Sequence, residues 1–129
     1  MSAWRQAAID AFPEAKREFL AMASVEDVWP FLLPQLEAAV KGKDRAVFDQ
    51  FLKFAEWVLT PRPGSRPESS LQALTDPVVA FIVAHVSILF EGRSRQEFFR
   101  IQPGLRYHLP DDKMSVFDAF LERTPKYVR

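Results

Sequence analysis

The stretch DPVVAFIVAHVSILFEG, Asp76–Gly92, decides the fold because it is the most apolar run of the chain. An Asp-Pro pair is typical of a helix start, and a glycine such as Gly92 is typical of the residue that follows a helix end. The apolar part is shorter than the roughly 20 residues that a membrane span needs, so we predict a buried helix from Pro77 to Glu91.

This helix is apolar on nearly every side. A narrow strip of small or polar residues along it would let a neighbouring helix approach closely, which predicts a central position in the fold. The strip consists of Ala80, Ala84, Ser87 and Glu91.

Asp44 to Thr60 has the clearest amphipathic pattern, with apolar residues at helical spacing on one side. The polar residues Asp49, Lys53 and Glu56 lie on the opposite side. We expect the apolar side to pack against the Pro77–Glu91 helix. That side consists of Val47, Phe48, Phe51, Leu52, Phe54, Ala55, Val58 and Leu59.

A proline divides the first apolar stripe of the chain, which begins near Trp4. Either Asp10 caps a second helix that has Pro13 in its first turn, or one helix bends at Pro13.

The next stripe runs from Val25 to Val40 and has Ser24 and Asp27 as candidate caps. Pro30 and Pro34 interrupt it. Because an interior proline costs about 3 kcal/mol, we predict a kinked helix or two short helices in series, ending at Gly42.

The remaining sequence predicts one loop and two further helices. Residues 61–70, PRPGSRPESS, have the composition of a mobile loop. The motif SRQE at 94–97 is a capping box before a short helix that Pro103 and Gly104 are expected to end. An aspartate at 111 or 112 is expected to cap the last helix.

No stretch alternates between apolar and polar residues with the period of a strand. We therefore predict an all-α fold, a single helical domain over residues 1–129 built as an irregular bundle of about six helices. A short stack of helical hairpins is the alternative.

Composition excludes several functional classes. Lys plus Arg and Asp plus Glu each number 17, so no overall field attracts nucleic acid or acidic lipid. The chain has no Cys, which excludes disulfides and thiolate zinc sites and is compatible with a reducing cytoplasm. The N-terminus lacks the pattern of a signal peptide, so we predict a cytoplasmic protein that does not bind a membrane.

Motifs for catalysis and for cofactor binding are not found in the sequence. The 4 glycines are isolated and no nucleophile motif is present. His85 and His108 supply too few ligands for a metal site. We predict no cofactor, no metal and no catalytic residue, and the sequence favours a protein that is not an enzyme, while catalysis by scattered residues stays open.

His85 lies at the centre of the apolar helix, where a neutral imidazole needs a hydrogen-bond partner. Two interpretations stay open. His85 is either a structural core residue with a satisfied ring, which is the commoner case, or it lines a small-ligand pocket together with the carboxylate of Glu56.

Four arginines, Arg93, Arg95, Arg100 and Arg106, are interleaved with aromatic residues. Nucleic-acid sites combine cations and rings in this way. Here nearby acidic residues dilute the charge, so the pattern favours a solvated outer face and predicts no nucleic-acid binding. Because arginine is enriched at protein interfaces, the region is also a candidate partner-binding surface.

Two aromatic residues, Phe31 and Trp57, lie off the apolar stripes of their helices. Either another helix or the 61–70 loop covers them, or they anchor a partner at an interface, where tryptophan is enriched among the residues that dominate binding.

The segment FLKFAEWVL, Phe51–Leu59, followed by VVAFIVAHV, Val78–Val86, resembles a set of small uncharacterised all-helical bacterial proteins. In that set an aromatic-Ala-Glu-Trp element precedes an apolar helix that ends in Glu-His, whereas this chain has Ala84 in place of that Glu. The resemblance implies a bacterial protein of the kind proposed as immunity factors, which bind a toxin encoded by a neighbouring gene. The matching residues are Phe54, Ala55, Glu56, Trp57, Phe81 and His85.

Together these observations predict a protein-binding module, either an immunity protein or a regulatory partner, that binds through the two off-stripe aromatics and the four arginines. The alternative is a small-molecule binding protein or enzyme with the pocket of His85 and Glu56. A homodimer with the off-stripe aromatics at its seam is the third interpretation.

Overall fold

The computed structural model describes residues 2–60, 69–91, 97, 99–109 and 114. This described part of the chain contains six α-helices and no strand, which confirms the predicted all-α irregular bundle. The helices are α1 (Ala3–Ala11), α2 (Lys16–Ala21), α3 (Val28–Gly42), α4 (Arg45–Leu59), α5 (Ser69–Leu89) and α6 (Gln102–His108), with 3₁₀ turns at Pro13–Ala15 and Val25–Asp27.

The central helix of the bundle is α4, which packs against α1, α3, α5 and α6. Asp44 caps its N-terminus, because the side chain accepts a hydrogen bond from the Val47 amide at 3.3 Å. The apolar side predicted from the sequence is the buried side. Its buried residues are Phe48, Phe51, Phe54, Ala55, Val58 and Leu59.

The apolar helix α5 is longer than predicted. It begins at Ser69, passes through Pro77 and ends at Leu89, so Asp76 does not cap its start. Leu74 is fully buried in the turn before the proline, and its burial helps to offset the hydrogen bond that the proline removes.

The small strip of α5 faces solvent, which corrects the prediction that this helix is central. Ala80, Ala84 and Ser87 are all exposed, because small side chains cost little when they face water. The opposite side of α5 packs on α4 as predicted, where the rings of Phe81 and Phe51 lie 5.2 Å apart in edge-to-face geometry.

Pro13 separates two helices, so the two-helix alternative is confirmed and the bent helix is wrong. The chain leaves α1 at Phe12, with φ −127° and ψ 69°, and Pro13 opens the 3₁₀ turn that leads into α2. Asp10 is not the cap of that turn. Its side chain accepts a hydrogen bond from Gln6 at 2.8 Å instead.

Arg5 of α1 ties these two helices together. Its guanidinium donates hydrogen bonds to the carbonyl oxygen of Phe19 at 3.0 Å and to that of Met22 at 2.7 Å. The last carbonyls of a helix have no partner within the helix, so a cation at this end of α2 both satisfies them and complements the helix dipole.

Of the two candidate caps before α3, Asp27 makes the capping hydrogen bonds, because its carboxylate accepts from the amides of Ala23 at 3.1 Å and Ser24 at 3.2 Å. α3 then runs through both prolines as one helix, so the prediction of two short helices is wrong. Pro30 lies in the first turn, where its missing amide costs nothing, and only Pro34 lies in the helix interior.

α3 ends at Gly42, as predicted, but the left-handed residue that follows the helix is Lys43, with φ 52° and ψ 46°. The Asp44 amide donates to the Ala39 carbonyl at 2.9 Å, and the Lys43 amide donates to the Val40 carbonyl at 3.5 Å. These two bonds form a Schellman motif, which reverses the chain into α4.

The predictions for Pro103 and Gly104 are wrong, because these residues lie in the first turn of α6 and do not end a helix. His108 is the last residue of α6. At Gly104 a Cβ atom would lie 2.6 Å from the Cβ of Leu59, so glycine is required by the close approach of α6 to α4.

Three predictions fall outside the described residues: the capping box at 94–97 apart from Glu97, the aspartate cap at 111 or 112, and the loop over 61–68. Ser69 and Ser70, assigned to that loop from the sequence, belong to α5. No helix in the described ranges has both the length and the hydropathy needed to cross a lipid bilayer.

Replacing Gly104 with alanine is expected to lower the free energy of unfolding by about 1–3 kcal/mol, because the added methyl group overlaps Leu59. Gly42→Ala is the matched control, since a Cβ there would have nothing within 4 Å. The control is expected to raise stability by about 0.5–1 kcal/mol through helix propensity. Urea unfolding measures the free energy of unfolding of both variants. Equal effects of the two substitutions would contradict the close approach of α6 to α4.

Arg5→Met is expected to lower the free energy of unfolding by about 1.5–3 kcal/mol, because two carbonyl groups lose a charged donor. The same substitution at the exposed Arg17 of α2 is the control and should change stability by less than about 0.5 kcal/mol. Denaturant unfolding compares the variants. If the two variants unfold at the same denaturant concentration, the hydrogen bonds of Arg5 do not contribute to stability.

Candidate functional site

A cleft of about 400 Å³ runs along the polar side of α4, and we refer to it as the α4 cleft. Its volume lies within the range of small-ligand pockets, about 300–1,000 Å³. Residues three and four apart share one face of a helix, so α4 supplies one wall with four side chains. The walls are formed by Asp49, Leu52, Lys53 and Glu56 of α4 and by Glu97, Arg100 and Ile101 on the other side.

The floor of the α4 cleft is apolar. Ile101 is buried and Leu52 is half-buried, and both pack within the hydrophobic core or against it. Ile101 directly precedes α6, so the contact between Gly104 and Leu59 that holds α6 against α4 also holds this wall in place.

The five charged side chains of the α4 cleft differ in their partners. Lys53 donates a hydrogen bond to the carbonyl oxygen of Asp10 at 3.3 Å, and Asp49 and Glu97 are engaged in other interactions. Within the described residues, the Glu56 carboxylate and the Arg100 guanidinium make no hydrogen bond and no ion pair. One anion and one cation therefore face the cleft from opposite walls without a partner in the described chain.

The pocket of His85 and Glu56 predicted from the sequence is not assembled. His85 is half-buried at a kink in α5, where its φ and ψ are −125° and 21°, and its ring lies 4.5 Å from that of Phe81. Phe81 packs on Phe51, and Glu56 projects about 140° around α4 from Phe51. Glu56 therefore lines the α4 cleft with Arg100, while His85 lies on the other side of α4.

The two off-stripe aromatics are half-buried and pack against the hydrophobic core. Phe31 is covered by another helix, because its ring lies 5.5 Å from that of Phe19 in α2. Trp57 stacks on Phe54 of its own helix at 6.3 Å. For Phe31 the structure favours the intramolecular interpretation over the partner anchor.

Two of the four candidate arginines, Arg93 and Arg95, lie outside the described residues. Arg100 lines the α4 cleft, and Arg106 is exposed on α6. Of the two candidate arginines that the structure describes, one therefore lines the cleft and the other lies on α6.

A surface from which the sequence analysis named only Arg106 lies on and beside α6. Tyr107 is 70% exposed and Phe99 is 44% exposed. Pro103, Arg106 and Tyr107 share the outer side of α6, since they are three and four residues apart. We call Phe99, Pro103, Arg106 and Tyr107 the α6 surface.

The residues at the start of α6 explain why the sequence did not show which side chains share this surface. A proline and a glycine in a row predict a helix end, so helical spacing does not relate Arg106 to Tyr107 from the sequence alone. The exposed side becomes visible only when Gly104 and Leu105 are seen buried against α4.

No group of three or more His, Asp or Glu side chains in the described ranges is placed to hold a metal ion. No protein-family model matches the chain, and no curated protein or solved structure has significant similarity to it. The described chain is an irregular all-α bundle. It has a charged cleft beside its central helix α4 and exposed aromatic side chains on and beside α6.

Phe31→Ala is expected to lower the free energy of unfolding by about 1–3 kcal/mol, less than the cost for a fully buried phenylalanine, because its ring packs on Phe19. Tyr107→Ala is the control and should change stability by no more than about 0.5 kcal/mol, since most of its side chain faces water. Chemical unfolding of both variants makes the comparison. An unchanged midpoint for Phe31→Ala would restore this residue as a candidate partner anchor.

Proposed function

We propose that this chain is a protein-binding module of the immunity or regulatory kind and that its partner binds the α6 surface. The observation that supports this proposal is the exposure of Tyr107, 70%, on the side of α6 that also carries Arg106. Tyrosine and arginine are enriched among the residues that dominate binding energy at protein interfaces.

The close packing of α6 against α4 supports the same proposal. Gly104 lets the helix backbone lie directly against Leu59, and Leu105 is fully buried beneath it. Side chains presented from an immobilised helix lose less conformational freedom when they bind, so more of the gained contact energy appears as affinity.

The kind of partner follows from the resemblance of the Phe54–Trp57 element to small bacterial helical proteins. That resemblance supports an immunity role, in which the partner is a toxin encoded nearby. The lack of cysteine supports a cytoplasmic location for the complex.

Affinity capture from native lysate of the source cells tests the proposal. The wild-type chain is expected to recover one partner that Tyr107→Ala loses, and with the purified pair Tyr107→Ala is expected to weaken the Kd at least about tenfold, or about 1.4 kcal/mol. Leu20→Ala is the control, since Leu20 is an exposed apolar residue of α2, at 47%.

Two outcomes would contradict the proposal. The first is that the partner binds wild type and Tyr107→Ala with equal affinity. The second is that light scattering shows a homodimer that Tyr107→Ala dissociates, because the surface would then be occupied by a second copy of the chain.

A further inference from the structure

We propose that the α4 cleft binds a short zwitterionic peptide, a dipeptide or tripeptide, whose carboxylate pairs with Arg100 and whose ammonium group pairs with Glu56. This small-molecule site goes beyond the proposed protein-binding function and does not depend on it.

The charges of the cleft select the class of ligand. Lys53 donates a hydrogen bond to the Asp10 carbonyl, and Asp49 and Glu97 each have an interaction partner, whereas Glu56 and Arg100 have none within the described residues. A ligand with only negative charge would be repelled by Glu56, and one with only positive charge would be repelled by Arg100. A molecule that carries both charges can form an ion pair with each of the two side chains.

The donor and acceptor geometry fits the two ends of a peptide. The planar guanidinium of Arg100 can donate two parallel hydrogen bonds to a carboxylate. The Glu56 carboxylate only accepts hydrogen bonds, and an ammonium group supplies three donors. Each terminus of a zwitterion therefore has one matching group in the cleft.

The apolar floor and the volume of the α4 cleft indicate the polarity and the size of the ligand between its two charged ends. Leu52 and Ile101 form an apolar base between the charged walls, which favours an apolar side chain. The volume of about 400 Å³ lies near the small end of the range for ligand pockets, which suits two or three residues better than a larger molecule.

The affinity is expected to be modest. Both charged side chains are exposed, and exposed ion pairs contribute little, so we expect a Kd on the order of 1 mM. Such binding is measurable by the shifts of backbone amide resonances.

The test uses leucyl-leucine, N-acetyl-leucyl-leucine, which lacks the ammonium group, and leucyl-leucine amide, which lacks the carboxylate. Titration of the full ¹⁵N-labelled chain should give saturable shifts in α4 and near residue 100 for the free dipeptide. Each blocked form should bind at least about fivefold more weakly, equivalent to roughly 1 kcal/mol for the lost ion pair.

Variants assign each charge to its partner. Glu56→Gln should bind the free and acetylated dipeptides equally, and Arg100→Gln should bind the free and amidated dipeptides equally. Glu37→Gln and Arg17→Gln change exposed charges on α3 and α2 and should keep the wild-type preferences.

The proposal is overturned by the absence of saturable shifts at ten times the expected Kd, or by equal binding of all three dipeptide forms to the wild-type chain. Tyr107→Ala should bind leucyl-leucine as wild type does. Loss of dipeptide binding and loss of the protein partner are therefore separate results, each bearing on one proposal.

Discussion

Burial of the phenylalanine side of α4 is the interaction on which the rest of the structure depends. The ring centroid of Phe54 lies 6.2 Å from that of Phe12 at the end of α1, and the ring centroid of Phe51 lies 5.2 Å from that of Phe81 in α5. Each buried ring contributes roughly 1.5–3 kcal/mol by leaving water, and edge-to-face pairs add to that gain. Because four other helices pack around α4, removal of this side would leave them without a common surface.

The same helix connects the fold to the candidate site. Its apolar side is occupied by the core, so its polar side is left to form the wall of the α4 cleft. Gly104 brings α6 against Leu59, and this one contact both positions Ile101 at the floor of the cleft and turns Tyr107 outward. A change at Gly104 would therefore disturb both surfaces through the backbone of α6.

The helix α5 shows where reasoning from sequence patterns stops. Its hydrophobic character was predicted, and so was its contact with α4. Its predicted start was wrong because a helix can continue through a proline when packing offsets the lost hydrogen bond, and here Leu74 is buried in the preceding turn. Its central position was wrong because alanine and serine are equally suited to a close helix contact and to solvent.

The candidate site was partly predictable for the same reason. Glu56 and Arg100 were each singled out, but helical periodicity states only which way a residue faces along its own helix. Glu56 was therefore paired with His85, a residue on the far side of α4, and not with Arg100.

By itself the sequence determined the all-α class, the amphipathic α4 and the capping residues Ser24 and Asp27, because each depends on local spacing and backbone hydrogen bonding. Only the tertiary structure decided that α4 is central, that the strip of α5 faces water, and that Glu56 and Arg100 share a cleft. Those features depend on which helix sides meet, and that is set by the packing of the whole core.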